Sequence, residues 1–383
     1  MFGYHKDERD KCMKKVLIVG GGASGMFCAV RLKEYNPSCD VTVLEAAASP
    51  MKKLLVTGSG RCNLSHRPMK MNRYDGDITP VVSRIIKDFD MEEEMAKEGL
   101  AVKWLGDLMY PMSEQARSVK DVLSERAETL GVRVLTDMFV RLVYDDNGLK
   151  LDTQKGVLDA DAVVLAMGTR AGGQSGTHDR EDIIRDLNLP VRAYEPMLAG
   201  MKTKVRKAWK GIRVKGVFTL THQNKTLASE EGELLFAEDG VSGIAVMNLS
   251  RDYVPGCTLH LDLAPSKSAD DLRTMIRTSP LDNPLTGILP ERMAKDLAGE
   301  KDPAALIKKM TFDITGLRDA RFAQAEKGGV RVRALTDDLE SRAHPGLYVI
   351  GEMLNVTGVC GGYNLHFAFA SADHVARALG EAL

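Results

Sequence analysis

A strand, a glycine turn, a helix and a second strand follow one another without a gap between Lys15 and Glu45, and this run limits what the rest of the chain can fold into. Val16 to Val19 is a short β-branched apolar run of the kind a buried parallel strand needs. Gly20, Gly22 and Gly25 follow with G-x-G-x-x-G spacing. In that fingerprint the first glycine makes the tight turn, the second lets backbone approach a pyrophosphate, and the third lets helix and strand pack closely. The helix opened by Ala23 and Ser24 points its first N–H groups at the phosphates, where its partial positive charge favours an anion. Val41 to Leu44 is the second strand, and it ends in Glu45. An acid at that place accepts hydrogen bonds from a ribose 2′-hydroxyl. The run predicts a dinucleotide-binding βαβ unit; the alternative is a glycine turn in an ordinary α/β protein.

A chain of 383 residues has room for two or three domains with a sizeable core. Its 52 Lys and Arg against 53 Asp and Glu leave no global field that would recruit nucleic acid or an anionic membrane. No apolar run reaches the ~18 residues of a membrane span. Met1 to Lys14 is polar and has no apolar stretch like that of a secretory signal. The six cysteines (Cys12, Cys28, Cys39, Cys62, Cys257 and Cys360) show neither C-x-x-C nor metal-ligand spacing. They read as reduced thiols, and the expected location is the cytoplasm.

After Glu45 the loop Met51 to Ser65 carries T-G-S-G-R-C-N-L-S. It offers backbone N–H groups, one cation (Arg61) and one amide (Asn63), and reads either as a second wall of the same site or as a plain turn. Ile85 to Leu100 and Ala116 to Leu130 have helical spacing, with an aromatic- and Met-bearing loop, W-L-G-D-L-M-Y-P-M-S, between them. Short alternating runs from Val132 to Asp159, with Asn147-Gly148 as a hairpin turn, predict a β-meander returning to a buried strand, Ala162 to Ala166. The glycine cluster from Gly168 to Gly176 lacks the fingerprint spacing. Val205 to Asp262 reads as a β-rich insertion resembling a small barrel. Pro265 to Met310 reads as helical, broken by Pro284, Pro290 and Pro303 and opened by a capping box, Ser268 with Asp271. Leu347 to Ile350 is a last apolar strand, followed by Gly-Glu, a glycine pair and a small-residue helix. The predicted class is α/β: a Rossmann-like domain over 14–190 plus 320–383, with an insert over 191–319 whose helical subdomain spans 265–312.

Two long motifs are similar to the BaiN/aminoacetone oxidase-like family of FAD flavoproteins, of the two-dinucleotide-binding-domain type. They are L-L-V-T-G-S-G-R-C-N (Leu54 to Asn63) and G-E-M-L-N-V-T-G-V-C-G-G-Y-N-L (Gly351 to Leu365). Shorter matches lie around Gly106, Tyr110, Pro111 and Ser113, at Gly240 to Gly243, and at Gly328 to Val330, so the resemblance runs from about Lys14 to the C-terminus. It implies FAD bound in an extended form. Gly20, Gly22, Ser24 and Gly25 would hold the pyrophosphate, Glu45 the adenosine ribose, and the Val140 backbone the adenine, with Gly168 nearby. Glu352 would lie on the ribitol side, Gly361 to Leu365 (Gly362, Asn364 and Leu365 among them) would line the isoalloxazine, and Gly60, Arg61 and Asn63 would cover its other side. Two positions depart from the family: Asn355 stands where relatives have Asp, and Met167 replaces a Thr.

The implied chemistry is hydride transfer at flavin N5 to or from a small organic substrate, as an NAD(P)H-dependent reductase or as an amine oxidase. No second fingerprint marks a stable NAD(P)H site, so a nicotinamide would be a transient electron donor. A flavin-containing RNA-modifying protein is the alternative from another class. The richest basic stretch, Lys202 to Lys215, reads as a solvated face rather than an RNA track, so no nucleic-acid partner is expected. No catalytic acid or base stands out, no metal is expected, and oligomeric state is not legible. Cys62, Cys360 and His366 fall beside the cofactor motifs, each with a packing reading as well as a functional one.

Overall fold

The computed structural model describes residues 14–145, 148–173 and 180–383. The described chain divides into two compact units: 14–170, 180–194 and 327–383 in the first, 171–173 and 195–326 in the second.

The first unit is built on a five-stranded parallel sheet. From edge to edge its strands are Leu347–Val349, Ala162–Leu165, Lys15–Val19, Asp40–Leu44 and Arg133–Leu135. The first strand of the chain lies at the centre, and Val16 to Val19 are buried, as continuous apolar runs in parallel sheets are. The run at 132–135 belongs to this sheet as an edge strand rather than to the meander. The meander itself is antiparallel: Val140–Asp145, Gly148–Thr153 and Gly156–Ala160. The Asn147 part of its first turn, and the glycine cluster beyond Gly173, lie outside the described residues.

Helix Ala23–Tyr35 packs on the sheet, and the closing helix Tyr363–Ala382 packs along that helix. Phe27 meets Phe369 edge-to-face at 5.0 Å, Arg31 Nε donates to Asp373 at 2.8 Å, and a Cβ on Gly380 would lie 2.7 Å from that of Tyr35. Residue number rises together along both helices, so they run parallel with their N-termini at the same end. Arg31 is buried and also pairs with Glu34, Glu94 and Glu98, which offsets the cost of taking its charge out of water.

Two expectations are corrected here. The stretch 85–100 is two helices, Pro80–Asp88 and Met91–Lys97, because the Asp90 carboxylate accepts from Glu92 N and Glu93 N and starts a new helix. The aromatic loop is a hairpin, Val102–Leu105 with Leu108–Pro111, turning at Gly106 (φ +62°) and Asp107. Ser65–His66 adds a third strand to it.

The second unit holds a seven-stranded antiparallel sheet. Its longest pair, Arg213–His222 with Lys225–Ala237, is joined by Gln223 and Asn224, both at positive φ as a two-residue hairpin turn requires. Helices Ala269–Thr278, Glu291–Leu297 and Pro303–Lys308 pack with it around Trp209, Phe218, Phe236 and Met293. The capping box at Ser268 and Asp271 forms, and Pro303 opens a helix at a position where its missing N–H costs nothing.

Candidate functional site

The three fingerprint glycines have different neighbours. Gly20 sits at φ +105°, and a Cβ there would lie 2.6 Å from Ala166 O. On Gly25 a Cβ would lie 1.9 Å from Gly20 O. Both are demanded by the protein's own backbone. Gly22 is not: its φ is −72°, and the nearest atom to a Cβ there is Ala166 O at 4.0 Å. It precedes a helix with no side-chain cap and no acid in its first turn. Space, bare N–H groups and a helix N-terminus at one point form a cradle that a pyrophosphate fits.

Glu45 ends the second strand with its carboxylate braced by backbone, Oε2 accepting from Gly21 N at 2.8 Å and Oε1 from Ala47 N at 2.7 Å. Each oxygen keeps a second lone pair for a ribose hydroxyl. Val140 is buried at the head of the meander strand. A surface cleft of about 490 Å³ beside it is lined by Phe139, Arg141, Asp152, Asp182 and Asp186; its mixed charges mark a solvated depression rather than a ring pocket.

The C-terminal motif converges on the same turn. A Cβ on Gly351 would lie 2.7 Å from Ser24 Oγ, and one on Gly168 would lie 3.7 Å from Glu352 Oε2. Lys53, which the sequence reading passed over, donates to Glu352 Oε2 at 2.6 Å and lies 3.5 Å from Thr169 Oγ1. No spacing rule marks it, since it is one of two adjacent lysines in an irregular loop. Gly362 caps the closing helix at φ +91°, again with no side-chain cap and no acid in the first turn. A Cβ there would lie 2.6 Å from Ser65 backbone and 2.8 Å from the Asn63 amide, so the T-G-S-G loop and the C-terminal motif are adjacent.

Several expected contacts turn out to be occupied within the protein. Asn364 clamps Gly358, accepting from its N at 2.7 Å and donating to its O at 2.9 Å. Arg61, next to Gly60, pairs with Glu114 and lies over the Tyr110 ring at 4.4 Å. The Asn63 amide, oriented to donate, reaches Ser65 O at 2.9 Å and Met109 O at 3.2 Å. Leu365 is partly buried against the core. Asn355 donates to Asp77 Oδ1 at 2.8 Å, so a carboxylate at 355 would face another. Met167 is buried, and its N–H points at Met353 Sδ, 3.2 Å away.

The side chains weighed for chemistry separate by environment. Cys62 is a free, fully buried thiol pushed up to about 12 by that burial, the setting of a structural cysteine. His366 is buried with both ring nitrogens engaged, Nδ1 with Ser65 Oγ at 2.8 Å and Nε2 with Ile86 O at 2.9 Å, and burial lowers its pKa. Among the described residues no cluster of His, Cys, Asp or Glu is arranged to hold a metal ion, and no helix is long and apolar enough to cross a membrane.

The family described as HI0933-like protein Rossmann domain matches residues 14–378. A 3-dehydro-bile acid delta(4,6)-reductase of Clostridium scindens is 30% identical, over 96% of this chain and all of the relative. A ribosomal RNA dihydrouridine synthase of Escherichia coli is 28% identical over 93% of this chain and 95% of its own. Among solved structures, a 3-ketosteroid delta1-dehydrogenase from Sterolibacterium denitrificans superposes with a TM-score of 0.55 at 12% identity, covering 97% of this chain and 100% of that one. The chain belongs to the HI0933-like family and, with the BaiN-type flavoproteins inside it, is a FAD-dependent oxidoreductase.

Proposed function

We propose that this protein reduces a carbon–carbon double bond conjugated to a carbonyl in a small organic molecule, with NAD(P)H as a transient electron donor. The observation that carries the reading is the pair of parallel helices whose uncapped, acid-free N-termini lie at the same end of one unit, at Gly22 and Gly362. Gly20, Gly22, Ser24 and Gly25 would cradle the FAD pyrophosphate. Glu45 would hold the ribose, and the Lys53–Glu352 pair the ribityl side. Bound FAD supplies hydride transfer at its N5. The bare N–H groups at Gly362 would favour negative charge on the ring. The relatives support the substrate class: a 3-dehydro-delta(4,6) bile acid carries a conjugated ketone, and dihydrouridine is uridine saturated beside a ring carbonyl.

A second reading, action on RNA, is favoured by the names of the 28% and 24% identical relatives. Charge weighs against it. In the basic stretch Arg206 pairs with Asp296 and Glu300, Lys210 with Glu238 and Arg213 with Glu233, so nearby acids offset three of its seven cations.

Anaerobic mixing of the yellow holoenzyme with NADH, NADPH and small amines in turn, followed by flavin absorbance, tests the first reading. Slow bleaching by a nicotinamide that does not saturate at micromolar concentration is expected. Bleaching by an amine alone would make it an oxidase, and a colourless protein that FAD cannot reconstitute would sink the site altogether. A salt-sensitive electrophoretic shift with a ribosomal RNA fragment would favour the second reading.

A further inference from the structure

We propose that His66 is the proton donor of this reaction, acting from Nδ1 on the substrate carbon next to the one that accepts hydride. The proposal rests on reading Gly361 to Leu365 as the flavin-facing segment and on the conjugated-carbonyl substrate class.

His66 ends a two-residue strand, Ser65–His66, held against Leu108–Pro111. Its ring stacks on Tyr363, with centroids 4.9 Å apart and planes at 29°. Tyr363 is buried as the first residue of the closing helix, so the stack sets the imidazole plane. Nδ1 is sealed from bulk solvent and has no hydrogen-bond partner. A Cβ on Gly361 would stand 3.6 Å from Nδ1 and 3.6 Å from Leu108 Cδ2, so the segment 361–365 passes directly beside this nitrogen. A buried ring nitrogen without a partner is costly unless something bound there completes it.

Four other titratable groups near the motif are engaged within the protein or raised by burial. His366 uses both nitrogens within the protein. Tyr74 donates to Tyr363 O at 2.9 Å, and burial holds its hydroxyl well above the usual range. Burial also raises Tyr363 and Cys62. Of these five, His66 alone keeps a ring nitrogen uncommitted.

The groups facing His66 come from three elements. Burial depresses its pKa most, and Arg73 and Lys70 on the following loop lower it further; Asp107 on the hairpin turn and the Gly361 backbone pull the other way. The net effect is downward, so the protonated ring is a stronger acid than an ordinary histidine. Bound FAD would supply the hydride for the β-carbon, and as the π pair shifts toward the carbonyl the α-carbon becomes the atom that needs a proton. The α-carbon then takes the proton from the imidazolium. The half-buried imidazole recovers a proton from water, and NAD(P)H replaces the hydride.

The test uses holoenzyme reduced with dithionite and reoxidised anaerobically by 2-cyclohexen-1-one, in wild type, His66→Gln and His66→Phe. Both variants are expected to retain FAD with an unchanged oxidised spectrum and to reoxidise roughly 10²-fold more slowly, without the wild-type fall in rate as pH rises. In ¹³C-histidine-labelled holoenzyme, the resonance that His66→Gln removes should titrate below the ordinary histidine value, at the midpoint of that rate profile. Equal rates in wild type and variants, a ring that does not titrate, or loss of FAD from both variants would overturn the assignment. A wild type that binds FAD but is not reoxidised by the ketone would overturn the substrate reading and this proposal with it.

Discussion

The two glycine turns that start the paired helices look alike in sequence and differ in what requires the glycine. At the opening turn the protein's own backbone demands Gly20 and Gly25, while Gly22 faces open space. At the closing turn Gly362 is hemmed in by Ser65 and Asn63, and Gly358 by Tyr363, so the protein itself requires both glycines. The opening turn is therefore shaped partly by something the chain does not contain. The closing turn is shaped by the loop it packs against. The comparison separates residues whose loss empties the site from residues whose loss damages the fold.

The largest expected effect tests that separation directly. Gly25→Ala places a methyl inside van der Waals contact with Gly20 O, where the first helix packs on the turn after the central strand, and should destabilise the protein by about 3 kcal/mol or more. Gly22→Val should leave the thermal midpoint of the apoprotein within a few degrees of wild type while abolishing FAD retention. Equal thermal losses in the two variants, with FAD kept by Gly22→Val, would break the comparison.

Next in size is the closing turn. Gly362→Ala combines positive φ with a clash against Ser65 backbone and should cost about 1–3 kcal/mol. Asn364→Ala removes two hydrogen bonds to Gly358 and should cost about 1–2 kcal/mol. Denaturant melts of apoprotein measure both. An Asn364→Ala variant that melts as wild type but loses FAD would move Asn364 from the fold to the cofactor.

The smallest effect sharpens the contrast between the two histidines. His366 is buried neutral, with its folded pKa below the ordinary value near 6.5, while the unfolded chain binds a proton there as pH falls. Stability contributed by this group is therefore complete above about pH 6.5 and falls below it, by at most ~1.4 kcal/mol per pH unit, until the folded pKa is reached. His366→Gln should flatten that slope below pH 6.5 in stability measurements, and an unchanged slope would show that another group causes it.

Much of the fold was readable because it rests on local pattern. β-branched runs gave the strands at 16–19, 41–44 and 162–165, glycine spacing gave the first turn, and Ser268 with Asp271 gave a helix start. The misread stretches are those where one short-range competitor overrides periodicity. Asp90 captures two backbone N–H groups and divides what reads as a single helix, and Gly106-Asp107 folds an aromatic loop into a hairpin.

The chemistry of the site divides the same way. Glycines, the acid at 45 and the two long motifs are contiguous in sequence, so the βαβ unit, the family and the cofactor class follow from sequence alone. Tertiary structure alone decided which glycine faces open space, that Lys53 meets Glu352 across 299 residues, and that Asn364 and Arg61 are engaged within the protein. It also decided that His66 keeps an uncommitted Nδ1 while His366 uses both ring nitrogens. The physical reason is that a hydrogen-bond partner brought from a distant segment leaves no local pattern, whereas a turn or a helix start is made by residues within a few positions of one another.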